Sequence, residues 1–262
     1  MTYVEFRGSK SKYRKMRQGV PQGGVLSPLL FNMYMSSMPS PPDSIKLVTY
    51  ADDGTALSSG PVIDPICTRL NRYLDTLTEW FSRKNLQISP SKSSATLFTT
   101  FSNEMKIQLP IFINGSLVPT IQKPKLLGVT LDSMFTFKHH AINTVNKLQN
   151  RNNILKALAG TSWGMSKEVL LTTYKAIGQS ILNYGCPIWT PALSKTHWEN
   201  LQTCQNAGLR TALGCVKMTS TDHLHAEAKI MPVKDHCCMI TEQFLLATQK
   251  PEHPNQINIF AP

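Results

Sequence analysis

Acidic residues are scarce in this chain: 16 Asp and Glu stand against 27 Lys and Arg over 262 residues, a formal net charge of +11. The scarcity is sharpest at the start, where Glu5 is the only acid before Asp43. Such a balance favours a polyanionic partner, either nucleic acid or an anionic membrane surface. Paired metal-binding spacing is also missing from the six cysteines, Cys67, Cys186, Cys204, Cys215, Cys237 and Cys238. The basic, polar N-terminus has no apolar stretch of the kind a secretory signal needs, so reduced thiols in an intracellular protein are expected. Long hydrophobic runs are absent too. The most apolar stretch, Gly24 to Met35, is broken by Ser27, Pro28 and Asn32 and is too short to cross a bilayer, so no membrane span is expected.

What is present suffices for a core: 41% of residues are hydrophobic, and the length fits one or two domains. The excess charge is concentrated. Residues 1–20 and residues 123–160 each carry six basic side chains and one acid, whereas residues 21–122 are balanced and residues 161–262 nearly so. Two basic segments flanking a neutral middle suit a polyanion, although lysines solvating exposed faces would look the same in either segment alone.

Alternating Tyr3, Glu5 and Arg7 before Gly8 and Ser9 predict a short hairpin. Leu26 to Met38 reads as a helix closed by the Pro39–Pro42 cluster, and Ile45 to Tyr50 and Thr55 to Ser58 read as strands around Ala51-Asp52-Asp53-Gly54, with the Asp-Gly step as the hairpin signal. Asp64 and Pro65 predict an N-cap and first turn. Beyond them Ile63, Ile66, Leu70, Tyr73, Leu74, Leu77, Trp80 and Phe81 trace one apolar helical face. Ala95 to Thr100 and Leu126 to Leu131 read as strands, and Ile111–Ile113 and Leu117–Val118 as a hairpin around Asn114-Gly115. From His140 onward apolar residues recur at helical spacing, with Ser166 and Ser194 as candidate N-caps. The fold class expected is therefore α+β: a mixed unit over residues 1–135, a helical unit over 136–250 and a disordered or cut tail over 251–262.

Asp52 and Asp53 are adjacent carboxylates at a hairpin tip, an arrangement that a cation or solvent must stabilise. For the tetrapeptide alone an ordinary solvated Asp-Asp-Gly turn is the better explanation. Context adds to it. The run Arg17-Gln18-Gly19-Val20-Pro21-Gln22-Gly23-Gly24-Val25-Leu26-Ser27-Pro28-Leu29-Leu30-Phe31-Asn32 resembles the block that precedes the catalytic hairpin of reverse transcriptases, and Tyr50-Ala51-Asp52-Asp53 resembles that hairpin. Leu86-Gln87-Ile88-Ser89-Pro90-Ser91-Lys92 is similar to the family's helix-exit segment, and Lys125-Leu126-Leu127-Gly128-Val129-Thr130-Leu131-Asp132 to the strand beside the primer terminus. The four blocks occur in the family's order. With Tyr184-Gly185-Cys186-Pro187-Ile188-Trp189 they most resemble jockey-type non-LTR retrotransposons, over about residues 3–245.

The resemblance implies a partial polymerase palm followed by a helical, thumb-like region, and two-metal nucleotidyl transfer in the complete protein. Asp52 would bind catalytic Mg²⁺, or Mn²⁺ in its place, with Asp53 in a lesser metal or structural role and Tyr50 near the primer end. Gln22 and Gly23 would line the nucleotide pocket, with Arg17 as a phosphate contact. Lys92 would neutralise or protonate the departing pyrophosphate, although a solvated turn lysine accounts for it as readily. Lys138, Lys147, Arg151 and Lys156 would grip the backbone of the primer–template duplex. The implied partners are an RNA template, a DNA primer and dNTP, and the implied locations cytoplasm and nucleus.

Two metals about 3.5–4 Å apart require carboxylates from separate strands. The family supplies another aspartate from a strand upstream of the Arg17–Asn32 block, whereas this chain has no Asp before Asp43, so only half of that set is expected here. Asp43, Asp64 and Asp132 read as structural. A noncatalytic remnant that binds RNA, DNA or hybrid duplex is the alternative reading. His223, His225, His236, Cys237 and Cys238 lack zinc spacing, and Trp163, Trp189 and Trp198 read as core. Oligomeric state leaves no signature in the sequence.

Overall fold

The computed structural model describes residues 3–13, 19–21, 23–101, 103–160 and 164–250. The tail expected over 251–262 and Trp163 lie outside them. The class is α+β: small antiparallel sheets accompany nine α-helices among the described residues. The chain divides into two compact units, Met1–Ser93 with Leu109–Pro119, and Ser94–Gln108 with Thr120–Pro262.

The first unit begins with a hairpin of β1 (Glu5–Phe6) and β2 (Ser9–Lys10), turned by Arg7 and Gly8 in the left-handed region. Helix α1 covers Ser27–Met35, three residues short of the expected end at Met38, and has no buried residue. Strands β3 (Ile45–Tyr50) and β4 (Asp53–Ser58) pair in full, from Ile45 with Ser58 to Tyr50 with Asp53. The turn is therefore Ala51–Asp52, and Asp53 and Gly54 belong to the strand rather than to the turn read from the Asp-Gly step. Pairing around Asp53–Gly54 would set Ile45 opposite Val62 and draw in Pro61, which has no amide to donate.

Helix α2 (Ile63–Arg83) is the expected amphipathic helix, with Cys67, Tyr73, Leu77 and Trp80 buried. Its N-cap is Val62, so Asp64 sits inside the first turn, where its carboxylate favours the helix dipole instead of capping an amide. Tyr73 and Leu77 enclose Ile45, with Leu47, Ala56 and Leu70 around them, and the Tyr73 hydroxyl donates to the Pro39 carbonyl at 3.0 Å. Asn71 clasps a distant loop: its Nδ2 donates to Pro110 O at 2.8 Å and its Oδ1 accepts from Phe112 N at 2.9 Å. That loop carries β5 (Phe112–Ile113) and β6 (Ser116–Leu117), closed by left-handed Asn114 and Gly115 as expected.

In the second unit, Ala95 to Thr100 is not a strand. Only Ala95 bridges, in parallel to Thr120, because Thr96 donates its hydroxyl to Ile121 O, Thr99 bonds Glu104 and Phe98 stacks on Phe135. Leu126 to Leu131 is likewise not one strand. It folds back as β7 (Lys125–Leu126) and β8 (Val129–Thr130) around Leu127 and Gly128, at φ 44° and 88°. Asp132 then organises the entry to α3 (Lys138–Leu158). Its carboxylate accepts from the amides of Met134, Thr136 and Phe137 and from the Thr136 hydroxyl, which places Asp132 in the structural role expected of it.

The remaining helices are α4 (Lys167–Tyr174), continued by a π-helical segment (Lys175–Gln179) into α5 (Ser180–Asn183), then α6 (Cys186–Trp189), α7 (Lys195–Leu213), α8 (Thr221–Ala228) and α9 (Val233–Thr248). Ser166 and Ser194 occupy the N-cap positions of α4 and α7, though neither side chain makes the capping bond. The core joins Leu148, Leu155, Tyr174, Trp189, Leu201 and Leu209, all fully buried, with Trp198 partly buried against it.

Glycines permit the closest packing there. A Cβ on Gly208 would lie 2.5 Å from Asn152 Oδ1 and 2.7 Å from the Tyr174 ring. Gly208→Ala should therefore destabilise the protein by about 1–3 kcal/mol through overpacking. The Tyr174 hydroxyl is buried with no hydrogen-bond partner among the described residues, so Tyr174→Phe should be neutral or stabilising. Urea denaturation of the two variants checks both expectations.

Candidate nucleic-acid and catalytic sites

The β3–β4 hairpin brings three of the sequence candidates together. Tyr50 and Asp53 are cross-strand partners, and Asp52 is the second residue of the turn they close. Ala51 takes the left-handed conformation at φ 51°, a strained choice for a residue with a Cβ, and all four residues are exposed. Strand alternation puts Tyr50, Asp53, Val48 and Leu57 on the face away from Ile45, and Val48, Tyr50 and Leu57 are 48%, 66% and 47% exposed.

The other candidates of this unit lie on separate loops. Gly23, at φ 83°, sits in a turn closed by a Gly24 N to Pro21 O bond of 3.2 Å, and the Ser27 hydroxyl donates to the same carbonyl. Lys92 is exposed in the turn after α2, where its amide donates to Ser89 O. Arg17 and Gln22 lie outside the described residues.

Carboxylate oxygens are the donor type that Mg²⁺ takes. The donor number falls short: among the described residues no three His, Cys, Asp or Glu side chains gather at one metal-binding position. Three of the clustered His and Cys residues near the end of the helical half have protein partners instead. His225 bonds Asn206, Gln202 and the Ile230 carbonyl, His236 meets Gln179, and the buried Cys237 thiol bonds Cys186. All six cysteines are free thiols.

Lys138, Lys147, Arg151 and Lys156 are all exposed on α3, but not along one stripe. At 100° per residue, Lys147 and Arg151 stand about 40° apart on one edge, while Lys138 and Lys156 are in phase on the opposite edge. His140, Ala141, Thr144, Leu148, Asn152 and Leu155 form the buried face between them.

The first half of the chain, residues 1–131, matches the family model described as reverse transcriptase (RNA-dependent DNA polymerase). The chain belongs to the reverse transcriptase family. It is similar to the Drosophila melanogaster protein named "Probable RNA-directed DNA polymerase from transposon BS", at 30% identity over 92% of this chain and 27% of that protein. Similarity to the RNA-directed DNA polymerase from mobile element jockey of the same organism is 27%, over 97% of this chain and 28% of that protein. The corresponding polymerase from transposon X-element is 30% identical over 88% of this chain and 26% of that protein. The jockey-type likeness read from the motifs thus has its counterpart across most of the chain, which spans about a quarter of the length of these relatives. No solved structure matches it.

Two residues to which motif reading gave no role hold the second unit's hairpin. His140 Nδ1 accepts from Thr130 N at 3.1 Å, so a neutral ring carries its proton on Nε2, and the ring sits edge-on to Trp189 at 5.0 Å. Tyr184 donates its hydroxyl to Leu127 O at 2.5 Å. Neither has a spacing signal, because each contact joins segments far apart in sequence or across a turn.

Burial, helped by the charge of Lys147, lowers the His140 pKa from the ordinary 6.5, and burial lowers that of His236. Below pH 6.5 the unfolded chain therefore binds protons that the folded one refuses. Stability contributed by these rings is full above that pH and declines as pH falls toward the folded values. Urea midpoints measured from pH 8 to 5 should fall below pH 6.5, and the His140→Gln/His236→Gln variant should flatten that fall.

Proposed function

We propose that this chain is the part of a retrotransposon RNA-directed DNA polymerase that carries the second half of the catalytic carboxylate set, in a partial palm, together with a helical thumb that grips the template–primer duplex. The observation that carries the reading is the tight β3–β4 hairpin, which exposes Tyr50, Asp52 and Asp53 at one end, in a chain whose first half matches the reverse transcriptase model. Asp52, at the turn, is the Mg²⁺ or Mn²⁺ ligand, and Asp53, paired in the strand, has the lesser role. Tyr50 lies near the primer end, and Gln22, Gly23 and Arg17 serve the dNTP. Lys92 serves the leaving pyrophosphate. A divalent ion would neutralise phosphate charge there, and because these two carboxylates are an incomplete donor set, no reaction step is assigned to them alone. The product location this implies is intracellular, in cytoplasm and nucleus.

Purified 262-residue protein should therefore fail to extend a primer on an RNA template with either ion. Robust dNTP incorporation that Asp52→Asn abolishes would show the donor set complete in this chain. In the longer polymerase, Asp52→Asn should lower extension by roughly a thousandfold, the scale that several kcal/mol of charge stabilisation implies. Asp53→Asn should cost less, and equal tolerance of both changes sinks the assignment.

Duplex binding should survive in the chain alone. Lys147 and Arg151 share an edge of α3, so Lys147→Ala/Arg151→Ala should lower the log affinity against log salt slope by about 1–2, at roughly 0.9 per phosphate contact on B-DNA, whatever the sequence bound. Asp52→Asn should leave that slope unchanged without Mg²⁺. An unaltered slope in the double variant, read by fluorescence anisotropy on an RNA–DNA hybrid and a scrambled counterpart, would reduce these cations to a solvated face.

A further inference from the structure

Tyr184 and the β7–β8 turn are locked together. The Tyr184 hydroxyl is held by Leu127 O, and its ring lies over Gly128, where a Cβ would stand 3.1 Å from the ring edge. Only a residue without a side chain allows that approach, and the φ of 88° at Gly128 suits glycine as well. The backbone of Tyr184 is also fixed, because the Trp189 indole donates to its carbonyl at 3.0 Å from a fully buried position. Yet 56% of Tyr184 remains exposed. The result is an aromatic ring with little rotamer freedom left to lose, presented to solvent.

Its surroundings are apolar and basic. Leu126 and Leu127 are 39% and 44% exposed on the same hairpin, and Lys123 and Lys125 are exposed at its foot. No acid occurs from Lys123 to Leu131, and the next one, Asp132, commits both carboxylate oxygens to its own loop. A fixed aromatic face packed on a hairpin segment that carries two exposed cations and no carboxylate fits a base with its flanking phosphates, since every base has a face to stack and the phosphates supply the countercharge.

We propose that Tyr184 is a stacking platform for a terminal or unpaired nucleobase, with Lys123 and Lys125 meeting the adjacent phosphates. The site rests on the nucleic-acid reading above and adds to it a position for one base.

The test uses the 262-residue protein and an RNA–DNA hybrid with a single-stranded overhang, carrying 2-aminopurine at the junction. The parent should quench the 2-aminopurine fluorescence. Tyr184→Leu should abolish the quench and weaken overhang binding about tenfold, with blunt-hybrid binding and the salt slope unchanged. Tyr184→Phe should keep the quench, and Lys123→Ala/Lys125→Ala should lower the slope while keeping it. Because Tyr184→Leu can loosen the hairpin, the unaltered protein supplies a second measurement: bound overhang probe should protect Tyr184 from nitration, as mapped by peptide mass. Equal quenching by Tyr184→Leu, or equal nitration with and without probe, overturns the platform while leaving duplex binding by α3 intact. A parent that binds none of the probes overturns both this site and the nucleic-acid reading beneath it.

Discussion

Two-residue turns that open on a left-handed residue set the register of every hairpin among the described residues: Arg7–Gly8, Ala51–Asp52, Asn114–Gly115 and Leu127–Gly128. Such turns match the twist of the flanking strands, but they are costly where the residue bears a side chain, on the order of 1–3 kcal/mol. Ala51 and Leu127 have no local reason to accept that cost. The surroundings impose it: six cross-strand pairs and the Ile45–Tyr73–Leu77 cluster hold the first turn, while Tyr184 and His140 hold the second. Asp52 lies on the first of these turns and Tyr184 packs against the second, so the placement of each depends on packing several residues away.

The two units differ in how much of their apolar surface they bury. The second closes a core around Tyr174, Trp189 and five leucines or more, with glycines at the tightest contacts. The first gathers a smaller cluster on α2 and leaves large side chains in water: Val25 is 95% exposed, Met33 65% and Leu29 57%, besides Val48 and Leu57 on the open face of the β3–β4 hairpin. Tyr50 and Asp53 share that hairpin face with Val48 and Leu57.

Periodic signals made the larger elements legible. The α2 face from Ile63 to Phe81, the Asn114-Gly115 hairpin and the helical second half follow from spacing alone, because each leaves its periodicity or turn signal within its own segment. The errors fall where distant residues decide. Leu126 to Leu131 has the composition of a strand, yet the approach of Tyr184 to Gly128 favours a fold back on itself. The Asp-Gly step is a turn signal in isolation, but Pro61 makes the register it would impose unpayable in hydrogen bonds. Of the candidate site, the motif residues Tyr50, Asp52 and Asp53 were readable because they are adjacent. The split of the α3 cations over two edges follows from helical geometry once the element is known, whereas the roles of Tyr184 and His140 depend on contacts across 57 and 10 residues.

Charge placement constrains how such a chain can hold a polyanion. Asp52 and Asp53 lie in the stretch 21–122, whose charges balance, at an exposed turn where two neighbouring carboxylates repel a phosphate backbone. Affinity cannot originate there without a divalent cation to reverse the local sign, since a bound ion is the largest charge in such a site and inverts its electrostatics. The cations proposed to neutralise phosphate directly are on α3 and at the foot of the β7–β8 hairpin, within the segment 123–160 that carries a net +5. In the proposed reading, binding and metal loading are therefore separable. Phosphate contact is sequence-independent and weakens with salt, whereas engagement of the hairpin end requires an ion that only hard oxygen donors and substrate phosphates together can retain. That division explains why a basic helical unit and an acidic hairpin can coexist in one chain without each opposing the other's ligand.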